Sequence, residues 1–292
     1  MKSSGHTQVP AQAFPVELQW GARSDRGGRE NNEDSYLVAR IHRSFDALAT
    51  NVGREALPRP LQQDGWFLVV ADGLGGTAGG EVASAMAISA GVRIVLGEVR
   101  WNFRLDEKEI RALLQRAHRI FHSIDEEIAD HAAVSKTLSG MGTTLTAAYV
   151  IGSTLLLLHV GDSRAYLFRG GKLRRLTRDQ TLAQRLADDG TIPQEAAETH
   201  RLRHVLDRAV GRTGRELEIE ARTESVREGD RLLLTTDGLI EEVSDEEIAE
   251  VLATERSEER VCLELVDRAL ERGASDNVTV VTASLAGTSG RA

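Results

Sequence analysis

Apolar residues along this chain follow two rhythms. In residues 106–128 they recur at helical spacing, with Ile110, Leu113, Leu114, Ala117, Phe121 and Ile124 on one face. Residues 79–96 carry a second helical pattern, opened by small residues (Ala83, Ser84, Ala85, Ala87) that allow close approach to a sheet. Two further helices are predicted at 244–252 and 258–272, with Ser244 as N-cap and Gly273 as the stop. The other rhythm is a series of short aliphatic and β-branched runs at 17–22, 34–41, 66–71, 143–150, 154–160, 165–169, 172–176, 217–225, 231–235 and 278–285. Each is too short for a helix and is bounded by turn residues, so each is a predicted strand. Gly152-Ser153 and Gly170-Gly171 suit hairpin connections, so residues 143–176 read as one antiparallel meander.

The remaining stretches are polar. Residues 42–65 contain Pro58 and Pro60 and read as a long surface hairpin insertion. Residues 179–212 are expected to be helical in pieces, broken at Gly190 and Pro193. Residues 1–15 have no periodicity and are expected to form a flexible arm, as are 287–292 a flexible tail. No linker divides the rest, so 16–286 is expected to form one domain. Many antiparallel strands with separate helices predict an α+β fold, in which two packed antiparallel sheets are covered by helices.

Composition narrows the function classes. The 292 residues are 41% hydrophobic and 28% charged, as in an ordinary globular protein. A formal net charge of −9 argues against a broad nucleic-acid or anionic-membrane surface. No apolar run approaches a membrane span and the polar N-terminus has no signal-peptide core, so a cytoplasmic protein without a membrane partner is expected. The single cysteine, Cys262, excludes an internal disulfide and a cysteine-ligated zinc site.

The candidate chemistry lies at the ends of the predicted strands. The run from Trp66 to Ala71 stops at Asp72-Gly73-Leu74-Gly75-Gly76, and Leu232 to Thr236 stops at Asp237-Gly238-Leu239. Leu155 to Val160 ends in Gly161-Asp162-Ser163-Arg164, Ser275-Asp276-Asn277 precedes the strand at Val278, and Asn31-Asn32-Glu33-Asp34 precedes Ser35. One such Asp-Gly is ordinarily a turn. Five acid-bearing strand ends are more than independent turns explain. If they converge, their charges need neutralising, because unpaired buried carboxylates repel and resist ionisation together. Hard divalent cations with oxygen ligands do this, and Mg²⁺ or Mn²⁺ suits the set. Two rival signatures fail. Cys262 and Arg268 fit a Cys-x5-Arg spacing, but the segment is an amphipathic mid-helix stretch with two acids, not a glycine-rich anion loop. The glycines after Asp72 are no dinucleotide fingerprint, since the acid would repel a pyrophosphate.

Taken in order, Arg29-Glu30-Asn31-Asn32-Glu33-Asp34, Asp72-Gly73-Leu74-Gly75-Gly76, Gly140-Met141-Gly142-Thr143-Thr144, Gly161-Asp162-Ser163-Arg164, Thr236-Asp237-Gly238-Leu239 and Ser275-Asp276-Asn277 resemble the metal-dependent protein phosphatases of the PPM (type 2C) family, its bacterial members above all. The resemblance covers roughly residues 18–285. It implies a central sandwich of two antiparallel sheets with helix pairs outside. It also implies hydrolysis of phosphoserine and phosphothreonine in proteins by a water that two Mn²⁺ or Mg²⁺ ions share and acidify. By the same resemblance Asp72 bridges both ions, the Gly73 carbonyl is a further ligand, and Asp237 and Asp276 complete the first metal site. Glu33 and Asp34 lie beside the second, Glu33 through water. Arg29 is the phosphate-binding arginine, whose planar fork suits two phosphoryl oxygens. Asp162 with Asp237 holds a weaker third ion, the competing reading being a simple turn at Gly161-Asp162-Ser163.

By the resemblance, residues 179–212 correspond to the family's flap beside the active site, which tunes substrate access; a surface excursion with no role is the equal alternative. Expected partners are phosphorylated proteins, including a Ser/Thr kinase and its targets, and a monomer is expected. Leu74 stands where animal members carry a histidine that is a candidate general acid, and His159, inside an apolar run, reads as structural. Two other classes compete with the enzyme. A non-catalytic binding protein has no physical need of clustered acids, and a Ca²⁺ module would show loop spacing that is absent here.

Overall fold

The computed structural model describes residues 16–45, 61–75, 79–97, 107–212 and 217–287. In chain order its strands and helices begin with β1 (Val16–Asp25), β2 (Asp34–Phe45), β3 (Leu61–Leu74), α1 (Gly79–Gly97) and α2 (Glu107–Val134). Then follow β4 (Gly142–Thr143), β5 (Leu145–Ile151), β6 (Thr154–Val160), β7 (Arg164–Arg169), β8 (Lys172–Arg175) and α3 (Leu182–Asp188). The chain continues through β9 (Glu220–Ser225), β10 (Arg231–Thr235), α4 (Asp237–Ile240), α5 (Asp245–Thr254), α6 (Glu258–Glu271) and β11 (Val278–Gly287).

Runs that are apolar at every position need cover on both faces, and the architecture supplies it. One antiparallel sheet has the order β1-β11-β10-β7-β8 and the other β2-β3-β5-β6-β9, with β4 added on β3. Alternate residues face opposite ways. Leu68, Val70, Val150, Leu155, Leu157, Leu232, Leu234, Val281 and Ala283 fill the space between the sheets. Leu233 and Val280 point outward to α5 and α6, where Ile248, Val251, Leu265 and Val266 bury them. Val69 and Ala71 point to the opposite exterior, under α1 and α2, with Ala83, Ala87, Phe121 and Ile124.

Several boundaries differ from the pattern of the sequence. Residues 143–176 are not one meander. The hairpin β5–β6 belongs to one sheet and β7–β8 to the other, because β9 occupies the free edge of β6 while β7 pairs with β10. The chain changes sheets at Gly161, whose φ of +112° turns it away and whose Cα approaches Thr144 so closely that a Cβ would lie 2.6 Å from its side chain. The expected insertion at 42–65 is largely strand, since β2 and β3 stay in register from Asp34 opposite Asp72 out to Phe45 opposite Leu61. Polar residues sustain that ribbon, as in the His42–Asp64 contact of 2.6 Å, so apolar patterning alone missed it. Helix α2 runs past residue 128 to Val134, β9 starts at Glu220 rather than 217, and the single turn α4 was not expected. Gly287 closes β11, while the arm at 1–15, the rest of the insertion at 46–60 and the tail at 288–292 lie outside the described residues.

Candidate metal centre

The register of β2 against β3 sets the first pair of acids. Asp34 and Asp72 face each other directly at one end of their sheet. Asp162 comes from the crossing between β6 and β7, Asp237 from the first turn of α4, and Asp276 from the approach to β11. Asp72, Asp162 and Asp237 each bring a carboxylate oxygen within 4.8 Å of the others. Asp34 is tied to the second sheet by Thr236, whose Oγ1 donates to Asp34 Oδ2 at 2.8 Å and accepts the Thr279 N–H at 3.0 Å. The two sheets therefore meet at this end through side chains of the centre itself.

The electrostatics of this cluster are unfavourable without cations. Burial, with a smaller push from neighbouring carboxylates, raises the carboxyls of Asp34 and Asp162 to about 7. Burial also lifts Asp72 well above the usual range, helped by Asp237, Asp34 and Asp162, and lifts Asp237 likewise, helped by Asp162 and Glu241. Oδ1 of Asp34 and Oδ1 of Asp237 are shut off from solvent and accept no hydrogen bond. Natural interiors rarely leave such atoms unpartnered. Converging oxygens of this kind fit small hard divalent ions, and the residues present match the Mg²⁺ or Mn²⁺ expectation.

Arg29 lies on the loop between β1 and β2, with its Nη2 donating to Asp276 Oδ2 at 2.6 Å. The guanidinium is more than half exposed and reaches the rim of the cluster. The carboxylate of Glu33 sits against the N-terminal turn of α1, where a Cβ on Gly80 would come within 2.6 Å of its Oε2. Burial raises its carboxyl, against the pull of Arg29. Gly73 is hemmed in by the same turn, since a Cβ there would fall 2.0 Å from the Gly80 carbonyl oxygen. Only glycine lets β3 and α1 meet at this point.

Four supporting residues were not singled out from the sequence. Asn277 accepts the Glu33 N–H at 2.7 Å and donates to the carbonyls of Arg26 and Asn31, both at 2.9 Å, which pins the Arg29–Glu33 loop to β11. Thr236 clamps Asp34 as described. Thr144 accepts the Asp72 N–H at 2.9 Å and is joined to Ser163 at 2.8 Å, linking Asp72 to the Asp162 crossing. All four are neighbours in sequence of a candidate ligand or lie in a quoted motif, which is the only signal that marks them.

The residues set aside stay outside the chemistry. His159 is buried, with Nε2 donating to the Arg178 carbonyl and Nδ1 accepting from Thr146, and burial lowers it to about 4. Cys262 is buried within α6 and its thiol is pushed up to about 11 by burial. The 179–212 segment contains α3 and a 3₁₀ turn at Gln194–Thr199. It is anchored at both ends. Arg164 holds the buried Asp179 with two hydrogen bonds of 3.2 and 2.8 Å, and Val210 pairs with Thr143. Between this segment and the acids lies a polar cavity of about 340 Å³, walled by Asp162, Thr181, Gln184, His204, Asp237 and Glu241 among others.

The family model described as "Protein phosphatase 2C" matches residues 60–276. The serine/threonine protein phosphatase PstP of Mycobacterium tuberculosis is 38% identical over 270 residues, covering 92% of this chain and 45% of the relative, so the chain spans less than half the length of that protein. The serine/threonine phosphatase stp of Listeria innocua is 34% identical over 216 residues, covering 74% of this chain and 82% of the relative. Among solved structures, the catalytic domain of serine threonine protein phosphatase PstP in complex with two manganese ions superposes with a TM-score of 0.69 at 36% identity, covering 93% of this chain and 99% of that one.

Proposed function

We propose that this chain, which belongs to the protein phosphatase 2C family, hydrolyses phosphoserine and phosphothreonine in proteins with the help of two divalent cations. The observation that carries this reading is the cluster of Asp34, Asp72, Asp162 and Asp237, which is charge-stressed and holds two unpartnered buried oxygens. A manganese-bound structural neighbour supports the choice of ion. Asp72, Asp237 and Asp276 would hold one ion, Asp72 and Asp34 the other with Glu33 nearby, and Asp162 with Asp237 a third, weaker one. When bound, the ions supply Lewis-acid polarisation of the phosphoryl group and a water acidic enough to attack it.

The chain's own residues do the rest. Arg29 presents its fork at the rim and holds two phosphoryl oxygens, exchanging its present contact with Asp276 for the substrate. Asn277 fixes the loop that carries Arg29 and Glu33, so the fork is aimed before the substrate arrives. Leu74 offers no proton, so the leaving alkoxide of serine or threonine is protonated by water rather than by a side chain at that position. Substrates of this class are products of Ser/Thr protein kinases, which makes a kinase and its targets the natural partners. Among the described residues no helix is long and apolar enough to cross a membrane.

The test is phosphate release from a phosphothreonine peptide. Release should require Mn²⁺ or Mg²⁺ and stop on addition of a chelator. Undiminished turnover in the metal-free protein would overturn the proposal.

A further inference from the structure

A second cavity, of about 360 Å³, lies between α1, α2 and the outer face of the sheet that carries β2, β3, β5 and β6. None of its wall residues belongs to the metal centre or to the side chains that support it. Close packing leaves few voids larger than a water molecule in a protein interior. The opposite helical layer keeps to that rule, with Leu233, Ile248, Leu265, Val266 and Val280 fully buried. Here Leu37, Phe67, Ile88, Leu113 and Ile120 are only partly buried. The cause is α1, which offers the small Ala87 and Gly91 to the cavity. Beyond its own helix, a Cβ on Gly91 would meet only the tip of Ile124, at 3.6 Å. We propose that this cavity binds one long-chain fatty acid, with its carboxylate accepting a hydrogen bond from the Tyr149 hydroxyl.

Shape and one buried hydroxyl carry the first part of this. The cavity is elongated, since its wall takes alternate residues of β5 from Leu145 to Ile151, a run of about 20 Å at the rise of an antiparallel strand. The wall is apolar over most of that run, which suits an alkyl chain. Tyr149 is 7% exposed and its ring stacks on Phe67 with centroids 4.2 Å apart. Among the described residues its hydroxyl nevertheless has no hydrogen-bond partner, although a buried phenol ordinarily finds one. Burial alone pushes this group up to about 12, so it stays protonated and can donate. The hydroxyl lies over Gly65, where a Cβ would come within 2.6 Å of it, so the glycine leaves it uncovered.

The charges in the wall choose the head group. The chain carries a formal net charge of −9, but among the described residues no acidic side chain lines this cavity. Two arginines do. Arg40 holds its guanidinium 5.5 Å from the ring of Trp66, which belongs to the core between the sheets, so its charge serves that side of the strand. Arg116 lies on α2 one turn beyond Leu113, which packs against the cluster of Tyr149, Ile151 and Leu156. A cation and a hydroxyl donor at one end of an apolar cavity select a carboxylate over an alcohol or an amine.

The experiment is calorimetric titration of the full chain with laurate, kept below its micelle-forming concentration, beside dodecanol and dodecylammonium. Laurate should bind saturably, one molecule per chain, with a negative heat-capacity change, and about tenfold or more tighter than either of the others. Tyr149→Phe keeps the ring and removes the donor, so it should weaken laurate about tenfold while the ligand-free protein melts as before. Gly91→Leu fills the cavity and should abolish binding of all the probes without lowering the melting temperature. The titration needs neither metal ions nor turnover, so its failure leaves the phosphatase reading standing. Equal binding of the three probes, or laurate binding unaltered in both variants, would overturn the proposal in favour of detergent-like adsorption. Absence of saturable binding would overturn it too, leaving the cavity a void of the fold.

Discussion

Strand β3 passes through two environments within a few residues. Leu68 and Val70 are fully buried between the sheets, among Val150, Leu155, Leu234 and Val281. Two residues further on, Asp72 faces Asp34 across the ladder and converges with Asp162 and Asp237. β10 repeats the passage, from Leu232 and Leu234 between the sheets to Asp237 just beyond its end. In the first environment every neighbour is favourable, because burial removes apolar surface from water. In the second, burial works against each carboxylate and each makes the next harder to ionise. The same strands therefore stabilise the fold along their length and store repulsion at their tips, a repulsion that cations relieve. Stability and catalysis should separate along a single strand.

The sharpest way to test this is at the tip. Asp72→Asn keeps the shape and removes one charge, so turnover should fall roughly a thousand-fold, as expected when several kcal/mol of metal-dependent stabilisation is lost. The metal-free variant should nevertheless melt higher than metal-free wild type. A lower melting temperature would show that the cluster is not repulsive.

Four residues back the outcome should invert. Leu68→Ala should cost about 2–5 kcal/mol of stability, the usual range for a buried leucine, measured by denaturant unfolding. Turnover per folded molecule and its Mn²⁺ titration should stay as in wild type. A changed metal dependence would mean that the two environments are not separable.

A gentler probe is pH. Asp34 and Asp162 sit at about 7 in the folded protein, above the 3.8 of a free aspartate. Only well below that free value, at about pH 2, are both neutral in the folded and unfolded chains alike. As pH rises from there towards 7, the unfolded chain releases protons that the folded chain retains, so metal-free stability falls across that window and levels off above it. Melting curves of metal-free protein should show this decline. Saturating Mn²⁺, which binds the ionised carboxylates, should abolish or reverse it. A flat metal-free profile would contradict the electrostatic picture of the cluster.

Much of this was legible in the sequence because it is local. A strand ending in Asp-Gly announces where its carboxylate will stand, and helical spacing in 106–128 placed Phe121 and Ile124 against a sheet. What stayed hidden is non-local. Nothing near Asn277 says that it will hold residues some 250 positions away, and nothing near Thr236 points to Asp34. Hairpin signals at Gly152 and Gly170 were sound, but which sheet each hairpin joins depends on β9 and β10, far along the chain.

The pairing of β1 with β11 has a mechanical consequence. The two strands run antiparallel with Val16 opposite Gly287 and Asp25 opposite Val278. Tension applied at Val16 and Gly287 therefore loads the ribbon as a zipper, opening one cross-strand pair at a time instead of shearing all ten together. The opening front would travel about 30 Å, at the rise of an antiparallel strand, before reaching Asp25 and the Asp276 turn beside it. Traction from the ends would thus peel this edge strand while the acidic cluster kept its geometry until the last pairs gave way.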